Sequence, residues 1–352
     1  GEQGAVRLTL PGRAEAVLAP SRFERRAADD ASWAGRDGAA SQAVLVARRG
    51  WVTGSVWHDG AVYEVRPLGG GLHALFRLDT SVFRDHDEGA LPGEDREDRV
   101  PGLPPAGAAG GPAAGSASPT IDVIVAYTSQ VSTVYADPVA FAQAAVDASN
   151  TASDNSAVQP RLRLVHAYET PGASSGSTAT DLPAFQGQTD GTFDEVHALR
   201  DQYGADLVAL IGPSSSVYGS CGRGYINSSA SSAFTVTAYD CAVGNLSFAH
   251  ELGHNMGLRH NPEADGSTTP YAYGHGKFQD ATGGEASWRT VMSYSNCSAS
   301  PCTRLPQWSN PDVVVRGSAS GDRDLRDNAR VIEERGATVA AFRASTVSPP
   351  VA

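Results

Sequence analysis

The chain has 352 residues, a length that allows two domains. Its formal net charge of −12 at pH 7 argues against nucleic acid or an anionic membrane as partner. Its apolar fraction of 41% is normal for a globular protein, and no stretch approaches the roughly 18 consecutive apolar residues of a membrane span. The sequence begins Gly1-Glu2-Gln3, and we expect any secretory signal to lie outside it.

The N-terminal part of the chain has the alternating pattern of β-strands. Between residues 42 and 79, short apolar and polar alternations are interrupted by Arg49-Gly50, Asp59-Gly60 and a run of three glycines. Asp-Gly between such runs is a strong β-hairpin signal. We therefore expect a small antiparallel all-β domain over residues 1–100. Residues 101–119 contain only Pro, Gly, Ala, Ser and one Leu, which predicts a flexible linker.

Residues 120–346 are predicted to form a second domain of the α/β (α+β) class. Apolar runs predict strands at residues 121–127, 161–168 and 206–211, and the sequence predicts helices at residues 139–150 and 192–203. A further helix at about residues 246–256 closes this half of the domain. The Gly-rich, irregular remainder is expected to form the lower wall of a cleft, and residues 347–352 are a short tail.

A long histidine motif lies in that further helix. Residues 250–260 read HELGHNMGLRH and match HExxHxxGxxH at every fixed position. His250 and His254 are four residues apart, so on a helix both can reach one metal ion at about 2.0–2.1 Å. Gly257 can adopt the left-handed conformation that ends a helix and returns His260 to the same ion. The motif predicts three imidazole ligands to one Zn²⁺.

Glu251 completes the predicted reaction centre. It lies next to the ligand face of the helix, where it can take a proton from water as general base. Zinc with three protein ligands keeps an open position and activates water for peptide hydrolysis. The sequence therefore predicts a zinc endopeptidase acting on proteins or peptides. The alternative from another class is an inactive zinc-bearing binding module, against which Glu251 and all three histidines argue.

A second element follows at residues 288–294, which read WRTVMSY. With the histidine motif it resembles the metzincins, whose Met-turn places a methionine beneath the zinc. The resemblance implies a catalytic domain with a twisted mixed sheet and a long zinc helix, and it makes Met292 the structural Met-turn residue. Tyr294 matches the tyrosine of astacins and serralysins near the metal, where its hydroxyl would stabilise the oxyanion. The alternative is a tyrosine that only closes the turn.

Over residues 120–343 the chain is most similar to the bacterial peptidyl-Asp metalloendopeptidases, which are reprolysin-like metzincins. The matching segments are IDVIVAYT, SFAHELGHNMGLRH, PYAYGHG, WRTVMSY and WSNP. The resemblance implies cleavage on the amino side of Asp and a cation in the pocket for the residue after the scissile bond. Arg289 is the first candidate, since its planar guanidinium suits a carboxylate better than Lys277. The alternatives are a structural Arg289 and a broad enzyme that prefers bulky apolar residues there.

The resemblance also implies that the N-terminal β domain is a propeptide, which assists folding or keeps the enzyme latent. A binding module retained in the mature protein is the alternative. Residues 1–119 contain no Cys, which excludes latency through a cysteine thiolate on the zinc. The run at residues 84–88, RDHDE, is the nearest candidate for another blocking ligand. Autoprocessing is expected within residues 94–98 or near Asp122.

Four cysteines, Cys221, Cys241, Cys297 and Cys302, fall in the second domain without CxxC spacing, which favours two disulfides over a second zinc site. Of three connectivities we favour Cys221 with Cys241 and Cys297 with Cys302, because each pair would hold a loop beside the cleft. Free buried cysteines are the alternative. Disulfides agree with a secreted enzyme. Ca²⁺ is not evident as a second cation, because the chain has no Gly-Gly-x-Gly-x-Asp array.

Overall fold

The computed structural model describes residues 4–12, 15–38, 41–83, 118–298 and 302–346. Most of the predicted linker, the run at residues 84–88, the expected processing segment at residues 94–98 and the tail at residues 347–352 lie outside these ranges. Among the helices of the described ranges, none is long and apolar enough to cross a membrane.

The N-terminal region is one antiparallel sheet of seven strands, each paired with its neighbours in sequence. Asp59 and Gly60 have φ of 46° and 77° between the paired residues His58 and Ala61. Positive φ at both central residues gives the type I′ turn that matches strand twist. The expected all-β architecture is confirmed. Its strands are β1 (Val6–Thr9), β2 (Glu15–Ala27), β3 (Asp30–Asp37), β4 (Ser41–Arg48), β5 (Trp51–His58), β6 (Ala61–Gly69) and β7 (Leu72–Leu78), and a 3₁₀ turn follows at Thr80–Val82.

A five-stranded mixed sheet forms the centre of the second domain. Its strands are β8 (Thr120–Tyr127), β9 (Arg161–Glu169), β10 (Leu207–Gly212), β11 (Gly222–Gly224) and β12 (Phe234–Ala238). The spatial order is β11-β12-β10-β8-β9, in which β8, β9, β10 and β12 are parallel and β11 is an antiparallel edge strand. The expected mixed α/β content is confirmed.

Helices cover both faces of this sheet, as the alternation of side chains along β8 shows. Val123 and Val125 pack in the same core as helix residues Phe141 and Ala145, whereas Ile124 packs with Phe185 on the other face. The helices up to this point are α1 (Ser129–Val134), α2 (Pro138–Asn155), α3 (Thr178–Gln186), α4 (Glu195–Tyr203), α5 (Ser215–Tyr218) and α6 (Tyr239–Ala242).

The helix that carries the histidine motif, α7 (Ser247–Asn255), has nine residues. It lies within a residue of the predicted range 246–256 at each end, and the long zinc helix that the metzincin resemblance implied is not confirmed. Leu246 before the helix has φ of 58°, and Gly257 after it has φ of 99°. A left-handed residue on each side stops the helical hydrogen-bond pattern. The nine residues still include both His250 and His254.

The C-terminal part of the second domain, which follows α7, differs from what the sequence led us to expect. It is irregular and holds only two-residue strands up to residue 319, but it ends in a 12-residue helix that the sequence analysis did not predict. Asp327 caps this helix by accepting a hydrogen bond from Arg330 N at 3.1 Å. The elements are β13 (Phe278–Gln279), β14 (Trp288–Arg289), β15 (Thr303–Arg304), β16 (Val314–Val315), β17 (Ser318–Ala319) and α8 (Asn328–Val339).

The N-terminal sheet packs on α2 and on the segment just before α7. Trp57 is 2% exposed, and its Nε1 donates to Gly244 O at 3.1 Å. Arg48 forms an ion pair with Asp137 at 2.6 Å, at the start of α2. Val44, Val46 and Val62 belong to the same buried core as α2. The sheet and the second domain therefore share hydrophobic packing close to the histidine motif.

Candidate metal centre

Three histidines meet at the C-terminal half of α7. The ligand atoms of His250, His254 and His260 lie within 4.8 Å of one another. His254 Nε2 and His260 Nε2 are 3.0 Å apart, and His250 and His254 are buried. Two nitrogens this close, with three rings converging, form a group that a single ion can join. The structure thus brings together the three ligands expected from the sequence.

The return of the chain after α7 decides the position of His260. Gly257 N donates to His254 O at 2.8 Å and Leu258 N donates to Gly253 O at 3.0 Å, which closes the last turn of the helix. Arg259 then pairs with the strand-like segment at His275. These backbone bonds direct the next residue, His260, towards the histidines of the helix.

The outer nitrogens of two of these histidines are held by backbone carbonyls. His250 Nδ1 contacts Val291 O at 2.8 Å, and His254 Nδ1 contacts Leu258 O at 2.9 Å. A carbonyl can only accept, so Nδ1 carries the proton and the lone pair of each ring is on Nε2. Burial lowers the pKa of His254 to about 4. This histidine is therefore a neutral imidazole at pH 7, the form that binds a metal.

The donor set fits zinc. Three imidazoles, with Nδ1 of two of them fixed by hydrogen bonds, match the borderline-soft character of Zn²⁺ and its catalytic sites with three protein ligands. Hard cations such as Ca²⁺ and Mg²⁺ prefer six or more oxygen ligands. His250, His254 and His260 would hold the ion, and a fourth position would remain for water or substrate.

Glu251 lies under the edge strand β11. Its side chain is buried, and a Cβ added to Gly222 would stand 2.5 Å from Glu251 Oε1. The carboxylate therefore occupies a narrow slot between α7 and β11. Glu251 directly follows the first histidine, so its side chain leaves α7 about 100° round the helix axis from that of His250.

The predicted Met-turn, residues 288–294, passes beneath α7. Met292 is fully buried, and its Sδ would be 2.7 Å from a Cβ at Gly253, so the thioether packs against the helix between its two histidines. Val291, the preceding residue, supplies the carbonyl that orients His250. The ring of Tyr294 stands 4.1 Å from the ring of His260. Both Met292 and Tyr294 are thus at the centre, where the sequence analysis expected them.

Comparison with known proteins places this centre in a family. The model of Reprolysin_5, described as metallo-peptidase family M12, matches residues 117–309. The chain belongs to metallopeptidase family M12. It is 39% identical over 321 residues to the peptidyl-Asp metalloendopeptidase of Stenotrophomonas maltophilia (strain K279a), covering 89% of this chain and 73% of that protein.

Other relatives of this M12 metallopeptidase agree. The peptidyl-Asp metalloendopeptidase of Xanthomonas campestris pv. campestris (strain ATCC 33913) is 37% identical over 308 residues, covering 86% of this chain and 70% of that protein. A solved structure described as "Structure of a chaperone-substrate complex" matches with TM-score 0.51 and 21% identity over 65% of this chain and 36% of that one, a likeness of fold alone. The expected family is confirmed, and the protein is a zinc metalloendopeptidase.

In this M12 enzyme, the first candidate for the pocket cation, Arg289, lies in β14 just before Met292. Arg289 is 3% exposed. Its Nε donates to Cys302 O at 3.1 Å and its Nη1 donates to Ser293 O at 2.6 Å. The guanidinium is therefore held beside the Met-turn. The rival cation, Lys277, instead donates to Ala319 O at 2.5 Å.

Both disulfides of the favoured connectivity are present. Cys221 is bonded to Cys241, and Cys297 to Cys302. The first holds the beginning of β11, since Cys221 directly precedes that strand. The second closes the loop between the Met-turn and β15. Nearby, His275 Nδ1 contacts His260 O at 2.6 Å.

Sequence reasoning missed three contributors to the centre. They are the carbonyl of Val291, the close approach of Gly222 to Glu251, and the buried Arg304 beside the Met-turn. No motif spacing signals the first two, because each depends on segments that are distant in sequence. Arg304 had one local signal, an arginine in a strand-like segment soon after the Met-turn.

Proposed function

We propose that this zinc metalloendopeptidase cleaves peptide bonds on the amino side of Asp, with Glu251 as general base. The observation that carries the proposal is the convergence of His250, His254 and His260 beside the buried carboxylate of Glu251. Support for the Asp preference comes from the relatives, which are described as peptidyl-Asp metalloendopeptidases. The buried Arg289, just before Met292, supports it as well.

The chain supplies the groups for hydrolysis in a fixed arrangement. Zinc bound to the three histidines would polarise the scissile carbonyl and acidify the attacking water. Glu251 accepts the proton of that water and passes it to the leaving amine. The narrow slot under Gly222 limits the movement of the carboxylate. The hydroxyl of Tyr294 donates a hydrogen bond to the oxyanion as the carbonyl becomes tetrahedral.

Within the M12 metallopeptidases, we assign the second domain more narrowly to the metzincin catalytic domains. Met292, packed under α7 against Gly253, supports it, because a buried methionine below the metal is the mark of that group. In this assignment Arg289 lies in the wall of the pocket for the residue after the scissile bond. Its guanidinium binds the Asp carboxylate of the substrate.

We further propose that residues 1–100 are a propeptide and that the enzyme acts outside the cell. The shared core between the N-terminal sheet and α2 supports a role for the sheet in folding. Two disulfides support an oxidising compartment, since thiols in the cytosol are kept reduced.

The test is a digest of a denatured protein mixture, with the new N-termini sequenced by mass spectrometry. The intact chain and its processed product are each assayed with and without a zinc chelator. Cuts that require zinc and begin with Asp support the proposal, whereas cuts before Leu or Phe reject the Asp preference. Glu251→Gln is the matched control, and it should keep its zinc while losing turnover by at least about 10³-fold.

A further inference from the structure

Two buried arginines lie side by side in β14 and β15, the strands before and after the predicted Met-turn methionine. Arg289 of β14 and Arg304 of β15 are directly paired residues of neighbouring parallel strands, so their side chains leave the strands on the same side. Both are buried. Both donate to one acceptor, Ser293 O, at 2.6 Å from Arg289 and 3.3 Å from Arg304. The two guanidiniums therefore meet at the residue that precedes Tyr294.

Arg304 also reaches the start of the metal-binding helix. Its Nη1 donates to Asn245 O at 2.9 Å and contacts Ser247 Oγ at 3.5 Å. Ser247 precedes Glu251 by four residues, so the two side chains lie on one face of α7, about 6 Å apart along its axis. The guanidinium of Arg304 therefore contacts a residue that lies about one helical turn before the proposed base.

This position favours an anion. The amino end of a helix carries partial positive charge, which attracts a carboxylate, and a second guanidinium adds to the attraction. A planar guanidinium binds a carboxylate through two parallel hydrogen bonds. The carbonyls of Asn245 and Ser293 orient the guanidinium of Arg304 before substrate arrives. This prior orientation reduces the conformational entropy that is lost when the substrate binds.

The reach of the substrate also agrees with this position. In the residue after the scissile bond, the Asp carboxylate is separated from the scissile carbonyl by the backbone nitrogen, Cα and Cβ alone. Such a short acidic side chain suits a guanidinium that contacts the helix about one turn before Glu251. The wall is held in place as well, because the Cys297–Cys302 disulfide closes the loop before β15 and Cys302 O accepts a hydrogen bond from Arg289.

We infer that Arg304 is a specificity-determining residue, which binds the carboxylate of a substrate Asp after the scissile bond together with Arg289. The inference rests on the proposed Asp preference and names the residue that dominates it. Arg304 lies between α7 and the predicted Met-turn, and the hydrogen bonds of Arg289 to Cys302 O and Ser293 O hold the neighbouring guanidinium beside it.

The experiment compares kcat/KM for three peptides that differ only in Asp, Asn or Leu after the cleaved bond. Wild type, Arg304→Gln and Arg304→Lys are assayed, and zinc content and thermal midpoint are measured for each. Arg304→Gln should lower the Asp-to-Asn ratio by on the order of 30-fold or more, with Arg304→Lys intermediate. Arg335→Gln is the matched control, since Arg335 is buried in α8 and donates to Ser228 O; it should leave the ratio unchanged.

The outcomes separate the two proposals. A wild-type enzyme without preference for Asp rejects the proposed function before any variant is made. An Asp-preferring wild type whose ratio survives in Arg304→Gln overturns the inference, since Arg304 then only joins α7 to the Met-turn.

If Arg304→Gln fails to fold, peptide binding is measured instead of turnover. Calorimetry then measures product peptides beginning with Asp or Asn on Glu251→Gln and on Glu251→Gln with Arg304→Lys. Weakened discrimination in the double variant supports the inference, and equal discrimination in both proteins overturns it.

Discussion

Replacing Gly222 by Ala tests whether Glu251 works only in its narrow slot. The added Cβ would stand 2.5 Å from Oε1 and 2.8 Å from both Cδ and Cγ of Glu251, whereas ordinary contacts are 3.4–4 Å. The carboxylate must therefore move by about 1 Å, and a displacement of that size costs on the order of 10²-fold in rate. Gly222 is not among the residues with positive φ, so its backbone accepts Ala without strain.

The assay is hydrolysis of a fluorogenic peptide, with zinc content and thermal midpoint measured on the same samples. Gly222→Ala should keep its zinc and its fold but lose about 10²-fold in kcat. Gly266→Ala is the control, because a Cβ there meets nothing within 4 Å. If Gly222→Ala retains activity within about twofold of the control, a fixed position of Glu251 is not required and the reasoning fails.

Three further predictions follow from the centre and from the N-terminal sheet. Tyr294→Phe should lower kcat by about 10²-fold with little change in KM, because the hydroxyl acts on the oxyanion; an equal loss through KM would instead indicate ground-state binding. Trp57→Ala, in the Glu251→Gln background that prevents self-cleavage, should lower the free energy of unfolding in urea by about 3–5 kcal/mol, and a loss below about 1 kcal/mol would mean that the sheet contributes little there. Burial lowers the pKa of His254 from 6.5 to about 4, so this group's contribution to the stability of the metal-free protein is present above pH 6.5 and is lost as pH falls towards 4. Thermal denaturation in chelator should show that loss, and His254→Gln should reduce it; an unchanged slope in the variant would contradict the assignment.

The sequence alone predicted the metal centre because its pattern is local. Two histidines four residues apart share a helix face, and Gly257 allows the turn that returns His260. The strands β8, β9 and β10 were likewise predicted to within a residue or two. β8 and β10 are buried almost throughout, and a strand covered on both faces must be apolar along its whole length.

Helix lengths were less predictable because the decisive residues lie outside the periodic pattern. α7 lies within a residue of the predicted range 246–256 at each end, but it begins after Leu246 in a left-handed conformation that Leu rarely adopts, which the periodic pattern does not indicate. In α8, the buried side chains include Val331, Ile332 and Arg335. A charged residue on the inner face weakens the amphipathic signal, and only packing against neighbouring segments reveals that face.

By itself, therefore, the sequence determined the ligand set, the general base candidate and the class of chemistry, all carried by residues within one short segment. Tertiary structure decided which segments meet that centre. The approach of Gly222 to Glu251, the carbonyl of Val291 behind His250, and the pairing of Arg289 with Arg304 each join residues from separate elements. Such contacts depend on the register of strands and the path of loops, and these are set by the packing of the whole domain rather than by local spacing.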